Sequence, residues 1–264
     1  MSEQRNRLRR KMEAKEFLLG GFVFSRDSTV PEVYAAAGFD FVIVDMEHGL
    51  NDVATAIAHV RASRASGIDA FVRVGGANLL DIPRMLDAGC DGIVVPHFGL
   101  PGAGVAEALQ TMKYHPLGTR PTCTGVSAAA FGLGNFAACA EQANANIISV
   151  GLIEDRESVA DIDGILDRKQ VDWIMPGPGD LATALGVHGQ LRHPKVEAAV
   201  DQIFAAARKR NQPIGMYIND PSELPAWHAQ GAQFFVLSID LKLLARSLQL
   251  AAASCRKAVQ AAAE

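Results

Sequence analysis

At 264 residues the chain has room for one large α/β domain or two small ones, and 49% hydrophobic against 20% charged residues excludes a disordered chain. A formal net charge of -4 with no basic cluster argues against nucleic acid as the main partner and leaves a small molecule as the expected ligand. The four cysteines (Cys90, Cys123, Cys139, Cys255) form no C-x-x-C pair, which disfavours a thiolate zinc site and fits reduced thiols in a cytoplasm.

The N-terminal stretch MSEQRNRLRRKMEAKEF carries both signs of charge and no apolar core, so it reads as a solvated leading helix rather than a targeting segment. No apolar run approaches the roughly 20 residues that cross a bilayer, so no membrane is expected. Short apolar runs then recur as candidate strands: Leu18 to Ser25, Phe39 to Asp45, Ala70 to Val74, Gly92 to His97, Ile147 to Glu154, Trp173 to Pro176, Pro213 to Ile218 and Phe234 to Ile239. Helix signals separate them: PEVYAAAG, then DVATAIAHVRAS capped by Asn51 and LLDIPRMLDAG capped by Asn78. RESVADIDGILD, VEAAVDQIFAAARKR, SELPAWHAQG opening on Ser222, and the long DLKLLARSLQLAAASCRKAVQAAA follow. Strand and helix in alternation predict a parallel sheet, and eight units in this length predict a (β/α)8 TIM barrel, with a leading N-terminal helix and a long C-terminal helix, as one domain over residues 1–264. No G-x-G-x-x-G follows the first strand. The longest break in the rhythm, His115 to Asn146, is expected to hold a loop over the site plus one helix.

In a barrel the chemistry gathers at the carboxyl ends of the strands. Phe41 to Val44 run straight into Asp45, Glu47 and His48; FVRVG places Arg73 where a strand should be apolar; SVGLI ends in Glu154, and IMPGPG in Asp180. Glu154 and Asp180 make a pair of hard oxygen donors suited to a divalent cation that keeps its waters. Each could instead cap the helix that follows it. Gly177 and Gly179, flanking Pro178, let backbone approach a ligand, and the amides opening the next helix could hold a carboxylate. His48, with Asp45 three residues earlier to fix its tautomer, is the candidate base, although a lone histidine at a strand end is more often structural. A buried Arg73 needs an anion, either a structural acid or the carboxylate or oxyanion of a substrate. His97, Arg120, Asn219 and Asp240 are weaker candidates. No G-x-S-x-G occurs, and Lys113, Lys169, Lys195 and Lys209 all fall in helices or loops, which leaves metal activation ahead of a serine triad or a Schiff base.

Four separated motifs, VDMEHG, VRVGGANLLDIPRMLDAGCDGIVVPH, GLIEDRES and GPGDLATALG, together resemble the HpcH/HpaI family of class II pyruvate aldolases, of the 2,4-dihydroxyhept-2-ene-1,7-dioate aldolase type, in order and over nearly the whole chain. The resemblance implies a carbon–carbon lyase that reversibly cleaves a 4-hydroxy-2-oxo acid to pyruvate, or a related 2-oxo acid, and an aldehyde. It implies a divalent metal (Mg²⁺, Mn²⁺ or Co²⁺) on Glu154 and Asp180, proton transfer by His48 with Asp45, and Arg73 on the ketoacid oxygen. Gly177, Pro178, Gly179 and Asp180 would line the substrate. Glu47 would contact a metal-bound water or brace the rim. It further implies a homo-oligomer, a hexamer or trimer of dimers, with the last helix exchanged between subunits and Asp87 reaching a neighbouring site; the alternative for Asp87 is a plain exposed helix residue. The sequence departs from the family where a glutamine commonly precedes the metal-binding glutamate by two residues, for here Leu152 stands. That loss of a polar contact keeps open a related reaction, oxaloacetate decarboxylation or a citrate-forming condensation, and a non-catalytic carboxylate-binding barrel is the third reading.

Overall fold

Short runs of β-branched and aromatic residues, each followed by a helix, pair in parallel in a computed structural model that describes residues 7–75, 80–102 and 104–262. The strands are β1 (Leu18–Val23), β2 (Phe41–Asp45), β3 (Asp69–Arg73), β4 (Gly92–Val95), β5 (Ile148–Ile153), β6 (Trp173–Pro176), β7 (Gly215–Ile218) and β8 (Phe234–Ile239). The helices are α1 (Arg7–Glu13), α2 (Val30–Ala36), α3 (Val53–Ser66), α4 (Asp81–Ala88), α5 (Val105–Gln110), α6 (Phe136–Asn146), α7 (Arg156–Ala160), α8 (Ile162–Asp167), α9 (Pro178–Ala184), α10 (Pro194–Arg210), α11 (Leu224–Gln230) and α12 (Asp240–Ala261). Strand order is β6-β5-β4-β3-β2-β1-β8-β7, and a bridge between Ile174 and Ile214 joins the two outer strands, rolling the sheet into the (β/α)8 barrel.

Side chains alternate between the barrel interior and the helical shell, as a period of two requires. Inside, Phe41, Phe71, Trp173 and Phe234 form an aromatic layer with ring centroids 5.1 to 6.3 Å apart. A Cβ at Gly20, Gly92 or Gly215 would strike a ring of this layer, so bulk on one strand is matched by its absence on the next. The same parity continues upward. Phe41 and Ile43 lead to Asp45, Phe71 leads to Arg73, and Ile148, Val150 and Leu152 lead to Glu154, so three charged residues face inward at the carboxyl rim above an apolar filling.

The leading helix is not a solvated one. Leu8 and Met12 of α1 are buried in the inner cluster, and α1 covers the amino-terminal mouth of the barrel. Arg7 Nε donates to Asp69 Oδ2 at 3.0 Å, Arg9 to Asp172 at 2.8 Å and Lys11 to Asp40 at 2.7 Å, acids that all lie at the starts of strands. Two caps also differ from expectation. Asp52, not Asn51, caps α3, accepting the Thr55 N–H at 2.8 Å, while the buried Asn51 donates to the carbonyls of Val23 and Asp45 and ties the ends of β1 and β2 together. Asp220, not Ser222, caps the 3-10 turn that leads into α11. Asn78 lies outside the described residues.

The segment from His115 to Asn146 contains a 3-10 turn, Ser127–Gly132, and α6, but in this chain it does not lie over the carboxyl rim. It joins a helix to the next strand, a connection made at the amino-terminal face, and it is pinned there. Arg64 near the end of α3 donates to Ser127 Oγ at 3.0 Å, Arg120 to Asp87 near the end of α4 at 2.8 Å, and Lys113 Nζ to the Asn144 carbonyl at 2.9 Å. At the other extreme, α12 buries no residue and exposes Leu241, Leu244 and Leu248.

Candidate active site

The register that pairs Asp45 with Arg73 puts two inward-facing charges side by side at the rim. Arg73 Nε donates to Asp45 Oδ1 at 3.0 Å and its NH2 group to Oδ2 at 2.5 Å, the two-point geometry that matches a planar guanidinium to a carboxylate. The third nitrogen, NH1, lies 3.3 Å from Glu47 Oε2, and the guanidinium carbon sits 4.8 Å from the centre of the Phe22 ring. Of the two anions open to Arg73 on sequence grounds, the structural acid is present: it is Asp45, which is wholly buried.

That pairing changes the relation between Asp45 and His48. Asp45 Oδ1 also accepts the backbone N–H groups of Glu47 at 2.8 Å and His48 at 3.3 Å, bending the chain out of the strand. The carboxylate therefore touches the backbone of His48 and not its ring. The imidazole is 61% exposed and its nearest acid is Glu47, with Nε2 3.9 Å from Oε2. The expected orientation of the His48 ring by Asp45 is thus not what the fold delivers, because the inward parity of Asp45 hands it to Arg73. Burial pushes the Glu47 carboxyl above its ordinary range, against the pull of Arg73 and His48.

Glu154 stands on the next inward step above Leu152, and both are buried. Its Oε1 accepts the His97 N–H at 2.8 Å. Burial pushes its carboxyl up to about 7 although the His97 N–H and ring pull it down, and Asp180 and Glu47 add to the rise. Gly177 packs directly on this carboxylate, so a Cβ there would strike it. Asp180 is exposed in the first turn of α9. Neither acid is a helix cap: Asp155 holds the cap position of α7 and Gly177 that of α9, and neither helix has a side-chain cap bond.

A divalent cation fits this donor set. Glu154 is a buried carboxylate with one oxygen engaged by an N–H and, among the described residues, no Lys or Arg within ion-pair reach, and Asp180 has no ion pair there either. An uncompensated buried carboxylate is costly unless a cation joins it. No group of three or more His, Cys, Asp or Glu among the described residues forms a closed cage. Two oxygens with positions left over are the arrangement an ion of the magnesium kind uses, keeping water and substrate.

His97, only a weak candidate on sequence, belongs to this site. Its backbone binds Glu154, and its ring Nδ1 lies 3.1 and 3.2 Å from the two oxygens of Asp155. Burial would lower its pKa, but Glu154 and Asp155 more than offset that and raise it. The signal that could have found it is the Pro96-His97 pair at a strand end, read together with the second acid after Glu154. The other weak candidates are structural. Asp240 accepts the N–H groups of Phe24 and Ser25, Asn219 accepts the Tyr217 hydroxyl, and Arg120 is buried with Asp87 away from the rim. Asp87, partly exposed and ion-paired, is neither a plain surface residue nor a neighbour of this chain's own site.

Residues 18–247 match the model of a protein family described as HpcH/HpaI aldolase/citrate lyase. A hydroxypyruvate/pyruvate aldolase of Sagittula stellata is 31% identical over 245 residues, 92% of this chain and 95% of that protein. A 5-keto-4-deoxy-D-glucarate aldolase of Klebsiella pneumoniae is 32% identical over 254 residues, 96% of this chain and 97% of its own. Among solved structures, the citrate synthase SbnG superposes with a TM-score of 0.85 at 30% identity, covering 96% of this chain and 98% of that one.

Proposed function

The chain belongs to the HpcH/HpaI aldolase/citrate lyase family, and we propose on that basis that its site reversibly cleaves a 4-hydroxy-2-oxo acid into pyruvate, or a related 2-oxo acid, and an aldehyde. It is an enzyme, a carbon–carbon lyase acting on small molecules. The observation that carries the proposal is the convergence of Glu154, Asp180, Arg73 and Glu47 at one rim, with His48 exposed beside them.

Glu154 and Asp180 would hold a divalent cation, Mg²⁺, Mn²⁺ or Co²⁺, which when bound supplies an electron sink for the 2-oxo group. Arg73, its plane fixed by Asp45, offers its remaining edge to the ketoacid oxygen and stabilises negative charge there. Gly177, Pro178 and Gly179 shape the floor beside it. His48 takes the proton of the C4 hydroxyl; the C3–C4 bond breaks, leaving an aldehyde and the enolate of the 2-oxo acid, and the proton returns to C3. Glu47, with its raised pKa and its contacts to Arg73 and His48, braces this edge. Purified protein coupled to lactate dehydrogenase and offered a panel of 4-hydroxy-2-oxo acids should release pyruvate only with added Mg²⁺, Mn²⁺ or Co²⁺. Absence of metal-dependent release across the panel would refute the reading.

Leu152, apolar and buried beneath Glu154, and the likeness to a citrate synthase favour a second reading, a related condensation or oxaloacetate decarboxylation. Product analysis by mass spectrometry with oxaloacetate and acetyl-CoA separates the two. The bare α12, with leucines 241, 244 and 248 along an exposed stripe, supports a homo-oligomer in which this helix packs on another subunit; sedimentation of the full chain tests it. Four free cysteines support a reducing cytoplasm, and no helix among the described residues is long and apolar enough to cross a membrane.

A further inference from the structure

The turn that carries His48 is closed by a buried asparagine. After β2 the Met46 N–H donates to the Arg73 carbonyl at 2.9 Å and the Leu50 N–H to the Phe24 carbonyl at 3.0 Å. Asn51 Nδ2 donates to the carbonyls of Asp45 and Val23, each at 3.1 Å, so residues 45–51 form a loop tied at both ends. Gly49 packs so closely on the Asp45 carbonyl that a Cβ there would strike it. The oxygen of the Asn51 amide is held by His59 of α3, whose Nε2 lies 3.1 Å from Asn51 Oδ1 and 3.0 Å from the Ser25 carbonyl. A carbonyl only accepts, so Nε2 carries a hydrogen. That hydrogen fixes which end of the Asn51 amide is oxygen, and the two N–H groups of Nδ2 are thereby aimed at the ends of β1 and β2.

His59 is wholly buried, and its Nδ1 makes no hydrogen bond among the described residues. Burial lowers its pKa, although the Ser25 carbonyl, Asp240 and Asp27 pull the other way, so the ring is held neutral. An unmet nitrogen in the core lowers stability, and a leucine would bury no such atom, so packing alone does not call for a histidine here. We infer that His59 is a positioning residue for the reaction: through Asn51 it sets the course of the loop 45–51, and with it the place of His48 beside Arg73. The inference deepens the aldolase reading and rests on it. His48 depends on such support, because its ring is 61% exposed and its nearest acid, Glu47, is 3.9 Å away, which leaves its backbone to place it. Asp45 Oδ1 holds the His48 N–H from one side, and Asn51 holds the Asp45 carbonyl from the other. A displacement of about 1 Å in a catalytic group is enough to lower a rate by roughly 10²-fold.

The test compares His59→Gln, whose side-chain N–H can stand where the ring Nε2–H stands, with His59→Leu, which fills the space and donates nothing. Hydrogen exchange of residues 46–50 reads the loop. The site is read by kcat, KM and Mn²⁺ affinity of the full-length enzyme, with the 4-hydroxy-2-oxo acid that wild type cleaves fastest. His59→Leu should speed exchange of the loop and lower kcat by about 10- to 100-fold. KM and Mn²⁺ affinity should stay near wild type, since Glu154 follows β5 and Asp180 lies in α9, and His59→Gln should restore both exchange and kcat. Wild-type exchange and kcat in His59→Leu overturn the proposal. So does a His59→Gln protein as impaired as His59→Leu, or a loss carried by KM or Mn²⁺ affinity in place of kcat. If His59→Leu does not fold, Asn51→Ser replaces it: the shorter hydroxyl drops the bonds to Val23 and Asp45, and unchanged exchange and kcat overturn the proposal. Wild type alone can also overturn it, by exchanging residues 46–50 as fast as an unstructured peptide. No pyruvate from any substrate with wild type removes the aldolase reading and the role in that reaction with it, while the exchange comparison separately shows whether His59 holds the loop.

Discussion

Asp45 and Arg73 grip each other at two points across neighbouring strands, Nε to Oδ1 at 3.0 Å and NH2 to Oδ2 at 2.5 Å, in a place where Asp45 is wholly buried. The grip fixes the guanidinium plane, so that NH1 is turned to Glu47 and the mouth of the barrel. Removing one partner leaves the other charged and buried, which costs about 3–5 kcal/mol, whereas removing both does not. Asp45→Asn and Arg73→Met should each lower the chemical-denaturation free energy by about 3 kcal/mol, and the Asp45→Asn/Arg73→Met double variant by clearly less than their sum. Strictly additive losses would contradict the pairing.

His48 stands apart from that pair, with an exposed ring and no carboxylate orienting it closely. His48→Ala should therefore leave the denaturation midpoint nearly unchanged while reducing kcat by about 10²- to 10⁴-fold, with Mn²⁺ affinity intact. A variant as active as wild type would exclude His48 from proton transfer.

Glu154 makes the stability of the cation-free protein depend on pH. Burial holds its carboxyl up to about 7, above the 4.5 of an unperturbed glutamate. A carboxyl raised on folding lends stability that is fully present below its unfolded value and is lost as pH rises through the folded one. Without metal, this group lowers the melting temperature between pH 5 and pH 8, and Glu154→Gln should abolish that part of the fall. Added Mn²⁺ should raise the melting temperature more at pH 8 than at pH 5, where it must displace a proton. Thermal melts at both pH values check this; a larger rise at pH 5 would count against Glu154 as a ligand.

The barrel was legible because each strand is a short apolar run with a helix behind it, a pattern local in sequence. The places of Glu154, Asp180, Arg73 and His48 at the rim were legible for a related reason: each interrupts or closely follows such a run. The partners of these residues were not. Asp45 lies three residues from His48 but faces inward by parity, toward an arginine 28 residues away, and His97 meets Asp155 across a separation of 58. The burial of α1 was hidden likewise, since its cations look solvated until the strand-start acids Asp40, Asp69 and Asp172 are brought beneath them. Asn51 and Asp52 are both good caps by type, and only the fold assigns the first to the barrel and the second to α3.

Gly177 and Gly179 look equivalent in G-P-G-D, yet the fold separates them. A Cβ at Gly177 would collide with the Glu154 carboxylate, whereas one at Gly179 meets nothing within 4 Å. The Glu154 side chain is buried and tied to His97, so it can yield only by leaving the position in which it would hold a cation. Gly177→Ala should weaken Mn²⁺ binding by about 10- to 100-fold, the usual cost of disturbing a ligand's support, and lower activity in proportion at limiting metal. Gly179→Ala, in the first turn of α9, should retain Mn²⁺ affinity and gain up to about 1 kcal/mol in stability from the smaller backbone freedom of alanine in the unfolded chain. Calorimetric titration with Mn²⁺ and denaturation of both variants measure the contrast, and equal affinities would show that Gly177 does not set the position of the ligand.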